Sequence, residues 1–347
     1  MNDMSERQRS AWTWAASLAP AVAVLPAVTA RAGEGGWAAP VLALPLIWAA
    51  DRLWEQVNAR GFCRVLGSRG GCALTIIYIM WAVVLGGVQL RAAVGRVERA
   101  VNLPAAPWML TMGVVLLALY LARGKPAACA RWALLALHGV LAGLGAVALL
   151  ALRQVRGVNL LPVWGEGNEL LGAVGVTFAV FCVRVYGGFV PCGSGKRPGT
   201  YPALICALLS GLLLTVQGNL GTALAAQLED PLLTLSRNVG VEGAFQRAES
   251  LLAALLLLAD LALLTLLLWT ARSAMKRLWP VAALAVFAAA CLPVSAQQLE
   301  LVRCQIVPTG NFVVGLVIPL ILLAVSRGKD RKAQAHIVPE NGENSTY

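Results

Sequence analysis

The stretch GAFQRAESLLAALLLLADLALL, residues 243–264, decides the fold. It places Arg247 and Glu249 at the mouth of a leucine run long enough to cross a bilayer and then sets Asp260 inside that run. About 20 predominantly apolar residues span the hydrocarbon, and a spanning backbone must satisfy its own polar groups, so the run reads as a transmembrane helix. A strand of a membrane barrel would alternate in polarity, and this run does not. The rest of the chain repeats the pattern: 59% of its 347 residues are hydrophobic and only 13% are charged.

Working outward, apolar runs between charge clusters and Pro/Gly breaks give about ten spans, near 11–31, 37–57, 72–90, 106–122, 128–151, 168–190, 201–226, 247–270, 278–296 and 306–326. The sequence therefore predicts an all-α polytopic membrane protein. It comprises a short segment 1–10, a single transmembrane domain over 11–326 and a polar tail over 327–347. The tail is non-periodic, reads as disordered, and carries an Asn344-Ser345-Thr346 sequon. Eighteen of the 28 lysines and arginines fall in alternate connecting segments beginning with the N-terminus, nine fall in the others, and Arg184 lies within a span. By the positive-inside rule both termini are cytoplasmic, and this placement accounts for the net charge of +11 without nucleic acid. The start also resembles a signal peptide, with Ala30-Arg31-Ala32 as a cleavage site, but its apolar stretch is long and holds two prolines, so it reads as a retained first span.

Catalytic patterns are absent. The eight cysteines are single, without a C-x-x-C pair, and the histidines are only His138 and His336, so neither a metal nor another cofactor is expected. GSGKRPGT, 193–200, lacks the spacing of a phosphate loop and reads as a basic turn. Nothing suggests an enzyme.

Two features point to a site within the membrane. Pro20 and Pro26 interrupt the first span, each removing a backbone donor, either as a simple kink or as the break of a discontinuous helix lining a cavity. The sixth span, its counterpart in a five-plus-five arrangement, carries Arg184, Gly187-Gly188 and Pro191. Asp260 lies eleven residues after Glu249, which puts both carboxylates within about 20° of one stripe, about 16 Å apart along the axis. With Arg184 the only cation assigned to the interior of another span, an Arg184–Asp260 pair is expected, serving either coupling or helix register.

Several stretches, in order, resemble the B subunit of spore germinant receptors, the endospore germination permease family within the amino-acid permease superfamily. They are VLPAVTARAGEGGW, through Leu25, Pro26, Gly33 and Trp37; QLR ending at Arg91 followed by NLPAAPWML, through Leu103, Pro104 and Pro107; and YLARGKPAACAR ending in Arg131. VNLLPVW follows, through Asn159 and Pro162, and then DPLLTLSRNVGVEGAFQRAESL, through Pro231, Phe245, Arg247 and Glu249. The resemblance implies a ten-span LeuT or amino-acid-permease fold with spans 1 and 6 discontinuous around a small-molecule pocket. It also implies partner subunits of the A and C types, a location in the spore inner membrane, and an amino-acid germinant as ligand. In that pocket Ala21, Val22, Ala23 and Val24 occupy the span 1 break, and the span 6 break falls at Ala179 to Cys182, without the family's usual breaker or carboxylate. Tyr78, Phe178, Phe181 and Cys182 are the candidate walls, and Arg184, Asp260, Arg247 and Glu249 the candidate coupling or structural charges. Three readings follow: a germinant-sensing subunit, a proton- or cation-coupled amino-acid transporter, or a membrane scaffold that binds nothing.

Overall fold

The structure is a computed structural model that describes residues 4–60, 66–101, 106–161, 169–191, 200–238, 248–275 and 277–335. Among the described residues every regular element is helical, as the unbroken apolar runs require. The helices are α1 Glu6–Ala23, α2 Leu25–Ala32, α3 Ala39–Arg60, α4 Gly67–Val101, α5 Pro107–Arg123, α6 Pro126–Ala151 and α7 Leu170–Phe181. They continue as α8 Thr200–Leu220, α9 Thr222–Gln227, α10 Pro231–Asn238, α11 Ala248–Met275, α12 Trp279–Cys291, α13 Ala296–Leu301, α14 Val307–Phe312 and α15 Ile318–Ala335.

Six helical stretches are long and apolar enough to cross a membrane: Arg69–Val101, Pro126–Gln154, Leu170–Phe189, Thr200–Leu220, Ala248–Met275 and Gln297–Gly328. Glu6–Ala23 followed by Leu25–Asn58, bent by 53°, makes a seventh if the pair is one span, while α5 and α12 are apolar but short. Each of the ten stretches expected from the sequence carries helix among its described residues, with changes at the edges, α12 for one ending at Cys291, short of the expected 296. The helix expected to end near residue 90 runs to Val101, because the charge cluster Arg91 to Arg99 continues α4 instead of ending it. The first helix begins at Glu6, inside the expected lead segment, where Ser5 and Gln8 form a reciprocal capping box that satisfies two free donors. And α15 runs on to Ala335, into the stretch that was expected to be disordered.

The core lies along α1 and α11. The α1 helix packs against α6 and α11, and α11 in turn packs against α4, α5 and α6. The Trp12 indole, wholly buried, donates to the Ala262 carbonyl at 3.0 Å and fixes α1 to α11 at that level. On one flank α4 lies on α12, and on the other α3 lies on α7 and α8. Small residues permit close approach, as membrane interfaces require when no hydrophobic effect draws helices together: a Cβ on Gly87 would stand 2.6 Å from the Ala289 side chain.

Candidate functional site

The first span breaks where the prolines dictate. Pro20 and Pro26 withdraw the N–H groups that would meet the carbonyls of Ala16 and Val22. The chain turns at Val24 (φ −96°, ψ 1°), whose N–H donates to the Pro20 carbonyl at 3.2 Å, and α2 resumes with the Val28 N–H bonded to the Val24 carbonyl at 3.0 Å. The interruption is thus a one-residue corner with most of its ladder kept. Ala21, Val22, Ala23 and Val24 are all buried.

Span 6 does not break. At Cys182 α7 tightens into a 3₁₀ helix, Cys182–Phe189, so the rod changes pitch instead of unwinding. A run of eight residues is long for this geometry, whose hydrogen bonds are poorer than those of an α-helix. The expected discontinuity of span 6 is corrected accordingly. The expected wall residues pack against one another and against other helices. Phe181 packs on Trp14 at 5.5 Å between ring centroids, Phe178 packs edge-on against Phe312 at 6.1 Å, and all are placed by apolar burial. The Tyr78 hydroxyl donates to the Val314 carbonyl at 2.8 Å, and the Tyr78 carbonyl accepts from the Tyr186 hydroxyl at 3.0 Å. In this conformation Tyr78, Phe178, Phe181 and Cys182 are all buried.

The last span supplies what the sequence did not signal. It contains two π-helical turns, Val302–Ile306 and Val313–Val317, each widening the helix and displacing carbonyls from their usual donors. The carbonyl of Val314 is met by Tyr78, that of Gly315 by the Trp54 indole at 2.6 Å, and Asn311 accepts from Trp81 at 2.9 Å. The second widened turn presses on span 6 at its change of pitch: a Cβ on Gly315 would stand 2.4 Å from the Cys182 Cβ and 2.7 Å from its carbonyl oxygen.

The buried charges pair differently from the sequence expectation. Asp260, wholly buried on α11, accepts from Gln89 Nε2 at 2.7 Å and, at short range, from Arg96 Nη2. Gln89 and Arg96 are seven residues apart on α4, about 20° short of two full turns, so one stripe of that helix addresses both carboxylate oxygens. Arg184 instead donates to Asp51 Oδ1 at 2.5 Å, with its guanidinium 3.6 Å from the centre of the Trp14 ring. The expected Arg184–Asp260 pair is therefore not formed. Arg184 shares its surroundings with Arg9, Thr13, Trp54 and Asn58. Reading α4 as ending at Arg91 concealed Arg96. The usable signal was the absence of proline between Gly67 and Val101 together with the seven-residue spacing of Gln89 and Arg96. Glu249, at the start of α11, lies 3.6 Å from Arg237, while Arg247 falls outside the described residues, as do Phe245, Leu103, Pro104 and Pro162.

Among the described residues no group of three His, Cys, Asp or Glu side chains is placed to hold a metal. Long apolar helices, a proline-bent first span and inward-facing ion pairs define a multi-pass membrane protein of the permease kind. The family described as spore germination protein matches residues 12–295, most of the chain, and the protein belongs to that family. No curated protein matches it.

Proposed function

We propose that the chain is the membrane subunit of a spore germinant receptor, which binds a small amino acid between the two halves of its bundle and passes the signal to partner subunits of the A and C types. The observation that carries this reading is the meeting of two irregular helices, the change of pitch at Cys182 and the widened turn at Gly315, on a span 6 that also packs against the proline-bent first span. Regular helices would pack without such features. Segments of bent, tightened and widened helix have alternative geometries of similar energy, which is what a ligand needs in order to shift a population.

Two of the helix contacts, though not that of α1 with α11, support a five-plus-five repeat. Taking α1 with α2 as span 1 and α13 to α15 as span 10, and exchanging each span n with n+5, turns the contact of span 1 with span 5 (α1 on α6) into that of span 6 with span 10 (α7 on α14). It likewise turns the contact of span 3 with span 9 (α4 on α12) into that of span 8 with span 4 (α11 on α5). Ligand access then requires Phe178 and Phe181 to leave their present partners, so the described conformation is read as the closed, unliganded one. Both oxygens of Asp260 are engaged by Gln89 and Arg96, which favours sensing over a transport cycle in which that carboxylate would exchange protons.

The test is a thermal-denaturation series on the purified receptor complex with each of the twenty amino acids. One or a few should raise the melting temperature, since a ligand at a hundred times its dissociation constant adds about 2.7 kcal/mol to the folded state. A series without any shift would contradict ligand sensing and favour a scaffold. Accumulation of labelled amino acid in vesicles under a proton gradient would favour transport.

A further inference from the structure

At the end of the bundle away from the N-terminal segment, α4, α5 and α12 enclose a cavity of about 540 Å³ with the segment that leads into span 10. Its wall carries five side chains whose charges decide what it can hold: Arg91, Glu98, Arg99, Glu229 and Arg303. Three are already committed. Arg91 donates to the carbonyls of Leu292 and Val294, tying the turn after α12 to α4, and Arg99 is paired with Glu229 and Asp230. The other two are less fully engaged. Glu98 has no ion pair among the described residues, and Arg303, in a long ion pair with Asp230, keeps Nε and Nη2 without a hydrogen-bond acceptor. Asp230 Oδ1 stands 3.9 Å from Arg303 Nη2, too far for a hydrogen bond.

Two guanidinium donors buried without a hydrogen bond are costly unless an acceptor arrives, because their desolvation is not offset. Arg303 also lies on the first π-helical turn, Val302–Ile306, a distortion that aims its side chain out of regular helical register. Trp108, about half exposed, adds an apolar plate beside the charged groups. A cation with two unfilled donors and an anion without an ion pair, in a single cavity, match a molecule that carries both charges.

We propose that this cavity is a capture site for small zwitterions, with Arg303 receiving a carboxylate and Glu98 an ammonium group, distinct from the site at the Val24 corner. The inference rests on the sensing reading above only for the identity of the ligand as an amino acid. From this vestibule, the first π turn of span 10 connects to the second, at Gly315, along one helix.

The experiment titrates the detergent-purified full chain by calorimetry with three probes: L-alanine, propionate and ethylamine. Alanine should bind at least about tenfold more tightly than either single-charge analogue, because each charged hydrogen bond is worth about that factor. Arg303→Gln should lower alanine affinity at least about tenfold, Arg303→Lys should restore part of it, and Glu98→Gln should reduce alanine to the level of propionate. The partial recovery in Arg303→Lys separates loss of binding from loss of fold. Alanine binding unchanged in both neutral variants would overturn the vestibule and leave the sensing reading standing. Binding lost in the variants while spores carrying them germinate normally on the same amino acid would support the vestibule and contradict the sensing reading. No binding of alanine to the unsubstituted chain would overturn both.

Discussion

Asp260→Ala should prevent stable folding. The substitution leaves Arg96, 1% exposed, and the Gln89 amide buried without the carboxylate that both address. Breaking a buried pair on one side costs about 3–5 kcal/mol, comparable with the whole stability of many proteins. The measurement is the yield and melting temperature of detergent-extracted protein. The diagnostic comparison is the double variant Asp260→Ala, Arg96→Leu, which removes both charges and should recover most of what the single change loses, since an apolar replacement of a buried pair is often neutral or stabilising. A single variant as stable as the unsubstituted protein would show that the pair does not hold α4 to α11. If Asp260→Asn, which keeps shape and one acceptor, folds yet abolishes the germination response, the pair serves signalling as well as packing.

Gly315→Ala should be nearly as severe, for a steric reason. The added methyl would meet the Cys182 Cβ at 2.4 Å, its carbonyl oxygen at 2.7 Å and its Cα at 3.0 Å. Two of those atoms are backbone, so no side chain can swing aside. Overpacking of this kind costs about 1–3 kcal/mol, and relief demands that span 10 move away from span 6. That movement would stretch the bond between the Trp54 indole and the Gly315 carbonyl. The expected result is a lowered melting temperature together with an altered germinant dose response, because the strained contact lies where the two irregular helices meet. Unchanged stability and response would mean that spans 6 and 10 are not in contact at this point.

Much of the fold was legible because the bilayer allows so few solutions. Uninterrupted leucine and alanine runs, as in α11, leave helix as the only spanning element. The bend in span 1 was legible too, since Pro20 and Pro26 act locally on their own turns. The change of pitch in span 6 was not, because no residue of Phe178 to Cys182 forces a 3₁₀ geometry; it arises where Cys182 meets Gly315 from 130 residues away in sequence. The π turns of span 10 were invisible for the same reason, their displaced carbonyls being satisfied by Tyr78 and Trp54 from other helices. Arg96 was hidden by a rule that usually works: a charge cluster ends a span, unless the helix continues and one of its charges finds a buried partner.

If Phe181 must leave Trp14 for a ligand to enter, α1 and span 6 move relative to one another, and a reversible cross-link between them addresses that movement directly. A Cβ built on Gly187 lies 3.8 Å from the Thr13 Cβ, the usual separation of bridged cysteines. The double variant Thr13→Cys, Gly187→Cys should therefore form a disulfide under mild oxidation, with each single variant as control. Spores carrying it should fail to respond to germinant when oxidised and recover when reductant is added. An equal response in both states, with the cross-link verified on gels, would contradict the account.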